Sequence, residues 1–188
     1  MELCPDLECY VSVDVETSGP FPSTYSLLAI GACLVYEPTQ YFYVELRPLS
    51  TASAPEAARI HRLSLDRLAV EGLPPAEAML RFADWLKSVM TEGRRPLFVG
   101  FNAAFDWMFV NDYFHRFLGY NPFGHAALDI KSFYMGMSGR RWCETSMRQL
   151  TRRYLGGRQL AHHALDDALL QAELFRLLLA EARAQHNK

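Results

Sequence analysis

Apolar and polar positions alternate over residues 9–16, where Val11, Val13 and Val15 are separated by Ser12, Asp14 and Glu16. A period of two is that of a half-buried strand. Apolar runs rich in β-branched and aromatic residues predict further strands near 26–36, 40–47 and 96–100, with a short one near 127–130. Helical spacing predicts helices near 54–61, 74–91, 105–118 and 146–154, and a Leu- and Ala-rich C-terminal helix that opens at His162 and runs to about Ala184. Three leading strands joined by short turns imply antiparallel pairing, whereas the later strands alternate with helices and could pair in parallel. The expected fold is α/β, a mixed central sheet with three leading antiparallel strands, flanked by helices.

Three short patches on these elements carry acidic or imidazole side chains. Residues two apart on a strand share a face, so Asp14 and Glu16 point the same way, close enough to grip one cation from two sides. The polar face of any amphipathic strand would look the same. In the second patch the chain passes through Gly100 into a helix with Phe101, Phe105 and Phe109 at spacing four. Asn102 stands where a helix N-cap belongs and Asp106 follows within the first turns. A cap and an acid at the positive end of a helix need no catalytic purpose. The third patch holds His162, His163, Asp166 and Asp167 at the opening of the last helix, where one of the two acids could serve only the helix dipole. Periodicity does not choose between them. Clustering four carboxylates is electrostatically costly, so a fold that converges them holds divalent cations.

Together the patches resemble those of the DEDDh 3'-to-5' exonucleases, the group containing proofreading exonuclease subunits, ribonuclease T and oligoribonuclease. That family has D-x-E on its first strand, N-x-x-x-D after an internal strand and H-x-x-x-x-D near its end. Here those positions read Asp14 and Glu16, Asn102 and Asp106, and His162 and Asp167. The stretch Thr17, Ser18, Gly19, Pro20, the pair Ile30 and Gly31, and Ala164 and Ala168 around the third motif are similar as well. The likeness runs from about residue 8 to 180. It implies a ribonuclease H-like fold with Asp14 and Glu16 on the central strand, His162 as general base and Asp167 as the fourth carboxylate. The rival frames, His163 with Asp167 or His162 with Asp166, have spacing four. In the family's frame Asp166 is a helix-start acid and His163 a solvent-facing or packing residue.

Phosphodiester hydrolysis needs a nucleophilic water, neutralised phosphoryl oxygens and a stabilised leaving oxyanion, which two cations about 3.5–4 Å apart supply. The family's pattern implies that Asp14, Glu16 and Asp167 bind the first ion, and that Asp14 and, through water, Asp106 serve the second. All-oxygen ligation favours Mg²⁺ or Mn²⁺. The resemblance also implies that Thr17 touches the terminal nucleotide, that Asn102 belongs to the substrate site, and that His61 stands where relatives carry a histidine near the substrate. A packing or surface role for His61 is the alternative. Bases stack on aromatic rings, and Phe105, Trp107 and Trp142 lie near the motifs, although most aromatic residues here belong to the core.

With 188 residues, half of them hydrophobic, the chain can bury a substantial core and is expected to form one exonuclease domain over 1–188. Cys4, Cys9, Cys33 and Cys143 contain no C-x-x-C pair and read as reduced thiols. The N-terminus lacks the positive region of a signal peptide, and the longest apolar stretch, about 27–36, is too short to span a bilayer. A cytoplasmic location without a membrane partner is the expectation.

A net charge of −2 argues against general nucleic-acid affinity, but the charge is unevenly spread. No Lys or Arg precedes Arg47, whereas Lys131, Arg140, Arg141, Arg148, Arg152, Arg153 and Arg158 face only Glu144 after Asp129. This segment, Arg140 and Arg141 foremost, is expected to track a phosphate backbone, the alternative being the solvated face of helices. The activity implied is trimming of single-stranded 3' ends to 5'-mononucleotides. RNA is favoured, because a small domain without a polymerase-tethering tail resembles the ribonucleases of the group. A DNA exonuclease of repair or proofreading type and a catalytically silent nucleic-acid-binding module are the alternatives. Several relatives are homodimers, and a homodimer is left open.

Overall fold

The computed structural model describes residues 8–91 and 93–186. Five strands, β1 (Glu8–Thr17), β2 (Leu27–Leu34), β3 (Tyr41–Glu45), β4 (Arg95–Gly100) and β5 (Ala127–Asp129), form one sheet in the order β3-β2-β1-β4-β5. β1 pairs antiparallel with β2, and β2 with β3. β4 lies parallel to β1, and β5 parallel to β4. Asp14 and Glu16 therefore stand on the middle strand of a mixed sheet. The helices are α1 (Pro55–His61), α2 (Leu65–Glu71), α3 (Pro75–Val89), α4 (Ala103–Leu118), α5 (Ile130–Ser138), α6 (Met147–Tyr154) and α7 (Ala164–His186), with a 3-10 turn at Trp142–Glu144. Helix-flanked on both faces, this is the ribonuclease H-like arrangement expected from the motifs.

One core lies between the sheet and α3 and α4, where Phe82, Leu86, Phe109 and Phe114 meet Val11, Val13 and Val15. The other lies under α7, with Leu174, Phe175 and Leu178 against Cys33 and Val99 and beside Ile130 and Leu150. The alternation in β1 thus separates two covered faces, and the half-buried strand of the sequence pattern is a fully covered one. Its polar face is buried beneath α7 because it is matched there: Ser12 Oγ donates to the Ala168 carbonyl at 2.8 Å, and Tyr10 meets Phe175 edge-on at 5.4 Å. A register shift follows Glu16, and the Tyr113 hydroxyl accepts from the Leu27 N–H at 2.9 Å beside it.

Several local expectations are corrected. Asn102 precedes α4 but is no side-chain cap, since it sits in the left-handed region with φ 58° and makes no capping hydrogen bond. Asp129 does that work. Its Oδ2 accepts from the Ala103 N–H at 2.9 Å, while its Oδ1 accepts from the Ser132 N–H at 2.7 Å, so one carboxylate caps both α4 and α5. The short helices α2 and α5 and the 3-10 turn add to the expected elements. The last helix opens at Ala164, two residues later than expected, because His162 is left-handed with φ 56°. Cys9, Cys33 and Cys143 are free thiols, and Cys4 lies outside the described residues. No described helix is long and apolar enough to cross a membrane.

Candidate active site

Three elements converge at the end of β1. Strand geometry puts Asp14 and Glu16 on the face under α7, and α7 brings Asp167 from its first turn. Ligand oxygens of these three carboxylates lie within 4.8 Å of one another, the one such group among the described residues. Asp106 comes from the first turn of α4, and its Oδ1 accepts from the Val15 N–H at 3.0 Å, tying α4 to β1. The close approach of α7 depends on Gly31, the cross-strand partner of Asp14. A Cβ there would stand 2.2 Å from the Ala164 carbonyl carbon and the Leu165 nitrogen.

A tight turn precedes α7, and Asp167 holds it. Its two oxygens accept from the backbone N–H groups of Ala161 at 2.7 Å and His162 at 3.0 Å. His162 lines the same cavity as Asp14, Glu16, Asp106 and Asp167. His163 turns away to stack on Tyr43, ring centroids 4.7 Å apart, and pairs at 3.3 Å with the exposed Asp166. Of the rival frames, only His162 with Asp167 is brought to the cavity.

Gln171, which the motifs do not include, reaches into this cluster. Its Nε2 donates to Asp14 Oδ1 at 2.6 Å and its Oε1 accepts from the Phe101 N–H at 2.8 Å. The sequence signal was a single amide within the Leu- and Ala-rich run, four residues after Asp167.

Burial governs the electrostatics. Asp14 is held well above the usual carboxylate range by desolvation and by the charges of Asp106, Asp167 and Glu16, against the Gln171 hydrogen bond. Desolvation and Asp167 raise Glu16 to about 7. Asp106 and Asp167 are raised by burial, in part offset by the backbone N–H groups they accept. Two full charges ~5 Å apart repel by ~3 kcal/mol at an effective dielectric of ~20. Among the described residues, no Lys or Arg lines the cavity to relieve this. Hard, desolvated carboxylate oxygens in mutual repulsion suit a divalent cation.

The cavity, about 770 Å³, is walled by Tyr25, Pro55, Phe101, Phe105 and Leu160 above the acids. Thr17, Asn102 and Phe105 line it as expected, while Tyr25, Glu56 and Leu160 were not foreseen. Thr17 Oγ1 donates to the Gly19 carbonyl at 2.9 Å. Phe105 is 38% exposed. Trp107 instead packs edge-on against Phe98, and Trp142 lies outside the cavity beneath the Lys131 ammonium, 3.8 Å from the ring centroid. The side chain of His61, the last residue of α1, lies outside the described part of the structure. Arg140 and Arg141 are not brought to the cavity, and both pair with Glu144 at 3.3 Å. The basic segment is also more neutralised than its own sequence suggests, because α7 supplies Glu181 to Arg153 and Glu173 to Arg158.

The exonuclease family model named RNase T matches residues 11–175. Over 173 residues, 92% of this chain and 92% of the relative, the chain is 50% identical to the 3'-5' DNA exonuclease Cap18 of Escherichia coli. In fold it is similar to the nuclease domain of 3'hExo, a DEDDh family member bound to rAMP, with TM-score 0.71 and 14% identity over 97% of this chain and 96% of that one. It is similar also to E. coli exonuclease I in a zinc-bound complex with single-stranded DNA, with TM-score 0.69 and 16% identity over 95% of this chain and 41% of that longer one. Exonucleases of this family use divalent metal ions. Motifs, fold and a match running through the length of the sheet agree, and the chain belongs to the DEDDh family of 3'-to-5' exonucleases, which act on nucleic acid.

Proposed function

We propose that this protein is a metal-dependent 3'-to-5' DNA exonuclease that trims single-stranded 3' ends to 5'-mononucleotides, and that residues 8–180 form its one catalytic domain. The observation that carries the chemistry is the convergence of Asp14, Glu16 and Asp167 within 4.8 Å. They share a cavity with Asp106 and His162. The preference for DNA leans on the 50% identity to a DNA exonuclease of nearly the same span. RNA is the expectation from a small domain without a polymerase-tethering tail, and the 50% identity to a DNA exonuclease over 92% of its length favours DNA instead.

Asp14, Glu16 and Asp167 would hold one divalent cation. Asp106, whose Oδ1 accepts from the Val15 N–H, would with Asp14 serve a second ion through water. Two Mg²⁺ or Mn²⁺ ions, when bound, neutralise the phosphoryl oxygens and lower the pKa of water. His162 takes the proton from the attacking water as that water adds to phosphorus and the 3' oxygen of the preceding nucleotide departs. Phe101, Phe105 and Leu160 give the terminal nucleotide an apolar wall that excludes bulk water, and Thr17 and Asn102 flank the acids.

The test is incubation of the protein with 5'-labelled single-stranded DNA and its RNA counterpart, in Mg²⁺, Mn²⁺ or EDTA, with Asp14→Ala as the control for contaminants. The expected result is metal-dependent shortening from the 3' end, faster on DNA and absent in the mutant. A faster RNA ladder would make the enzyme an exoribonuclease. Binding without shortening of either strand would leave a silent nucleic-acid-binding module.

A further inference from the structure

We propose that Gln171 is a positioning residue that sets the orientation of the Asp14 carboxylate before a cation binds. This inference rests on the metal-dependent reading above. Apart from Asp167 in its first turn, the rest of the buried face of α7 is apolar: Ala168, Ala172, Leu174, Phe175 and Leu178 are all inaccessible or nearly so. Gln171 stands among them at 2% exposed. A buried amide is tolerated only when both ends find partners. Both do here, with the Asp14 carboxylate at 2.6 Å and the Phe101 N–H at 2.8 Å.

The second partner decides the geometry of the first. A backbone N–H can only donate, so the amide oxygen must face Phe101 and the NH₂ must face Asp14. The end-for-end ambiguity of a glutamine is thereby removed. An aspartate's terminal torsion is broad and roughly two-fold, and a free carboxylate would sample it. Here one oxygen is fixed from α7 while the Cα is fixed by the central strand. The same amide joins β1 to the residue before Asn102, so the strand end, the α4 entry and α7 share one clamp. A leucine of similar volume would satisfy the apolar surroundings, so packing alone does not account for an amide at this place. Outer partners of this kind orient metal ligands and typically change metal affinity or activity by ~10–100-fold when removed.

The experiment compares wild type with Gln171→Leu in the intact protein. Mn²⁺ binding is followed by calorimetry without substrate, well below the melting temperature, and kcat and KM are measured on single-stranded DNA. The expected result is Mn²⁺ binding weaker by ~10–100-fold with kcat reduced and KM for the strand little changed. If Gln171 merely satisfied the Phe101 N–H, the variant would melt earlier but bind Mn²⁺ as wild type does, and that result overturns the proposal. Should the variant not fold, the wild-type side-chain amide resonances of Gln171 decide the matter. A saturable shift on Mg²⁺ titration supports the clamp, and resonances unmoved at saturating Mg²⁺ overturn it. Wild-type protein that neither binds Mn²⁺ nor shortens DNA would sink the metal-dependent reading itself, a result separable from failure of the Gln171 proposal alone.

Discussion

The Asp167 carboxylate accepts the backbone N–H of His162 at 3.0 Å, and His162 is held in the left-handed region at φ 56°. Its other oxygen takes the Ala161 N–H at 2.7 Å. Hydrogen bonds to a charged group contribute ~1.5–3 kcal/mol each, which exceeds the ~1–2 kcal/mol cost of a left-handed L-residue. The fourth acid of the cluster therefore also fixes the turn that carries the proposed base. Asp167→Ala and Glu16→Ala both remove a proposed cation ligand, but only the former releases His162. With rising Mn²⁺, Glu16→Ala is expected to regain part of its exonuclease rate, while Asp167→Ala stays at least ~10²-fold below wild type, the range of a lost general base. Equal recovery of the two would show that the turn stands without Asp167.

His162→Ala is expected to separate binding from chemistry. The substitution leaves the three clustered carboxylates in place, so Mn²⁺ affinity and strand affinity stay near wild type, while turnover falls by roughly 10²–10⁴-fold. Single-turnover kinetics on a labelled DNA strand, paired with a binding isotherm, measure both. Wild-type turnover by this mutant would remove His162 from the mechanism.

The buried acids make stability depend on pH in a direction opposite to that of a paired carboxylate. Glu16 is raised from 4.5 to about 7 by burial and by Asp167. In the metal-free protein the folded state keeps a proton that the unfolded chain has already released, so this contribution is complete below pH ~4.5 and is lost as pH rises to ~7. Asp14, Asp106 and Asp167 shift in the same direction. In EDTA the melting temperature is expected to fall between pH 5 and 8, and Mg²⁺ should raise it more at pH 8 than at pH 5, because protons no longer compete. Differential scanning fluorimetry reads both. A melting temperature that climbs over that interval would contradict the desolvated cluster.

The parts of the site that the sequence disclosed are those written in local spacing. Asp14 and Glu16 share a face because a strand repeats every two residues, and His162 and Asp167 are set five apart by a turn running into a helix. What stayed hidden depends on contacts between distant elements. Asn102 has two local meanings, helix cap and left-handed residue, and only the approach of Asp129 across 26 positions shows that the cap is supplied elsewhere. The α5 segment is short and mixes aromatic residues with Gly136, and Asp129 starts it. Gln171 lies 157 positions from Asp14, so nothing local could announce their hydrogen bond. The basic run likewise read as unpaired because its acids, Glu173 and Glu181, sit on a helix that follows it.

Gly31 offers a test of how closely α7 must lie on the sheet. It is opposite Asp14 in the β1–β2 pair, and a Cβ would overlap the backbone of Ala164 and Leu165 at 2.2 Å. Backbone atoms cannot rotate aside as a side-chain tip can, so relief requires α7 to lift away, carrying Asp167 with it. Overpacking of this kind costs ~1–3 kcal/mol, a loss of roughly 2–10 °C in melting temperature for a chain of this size. Because the displaced element bears a proposed cation ligand and the turn of His162, Gly31→Ala should lose activity and Mn²⁺ affinity out of proportion to that modest instability. Thermal melting and Mn²⁺ titration of the same preparation decide it. A variant that melts early yet binds Mn²⁺ normally would show that the cluster tolerates a displaced α7, and that Gly31 serves packing alone.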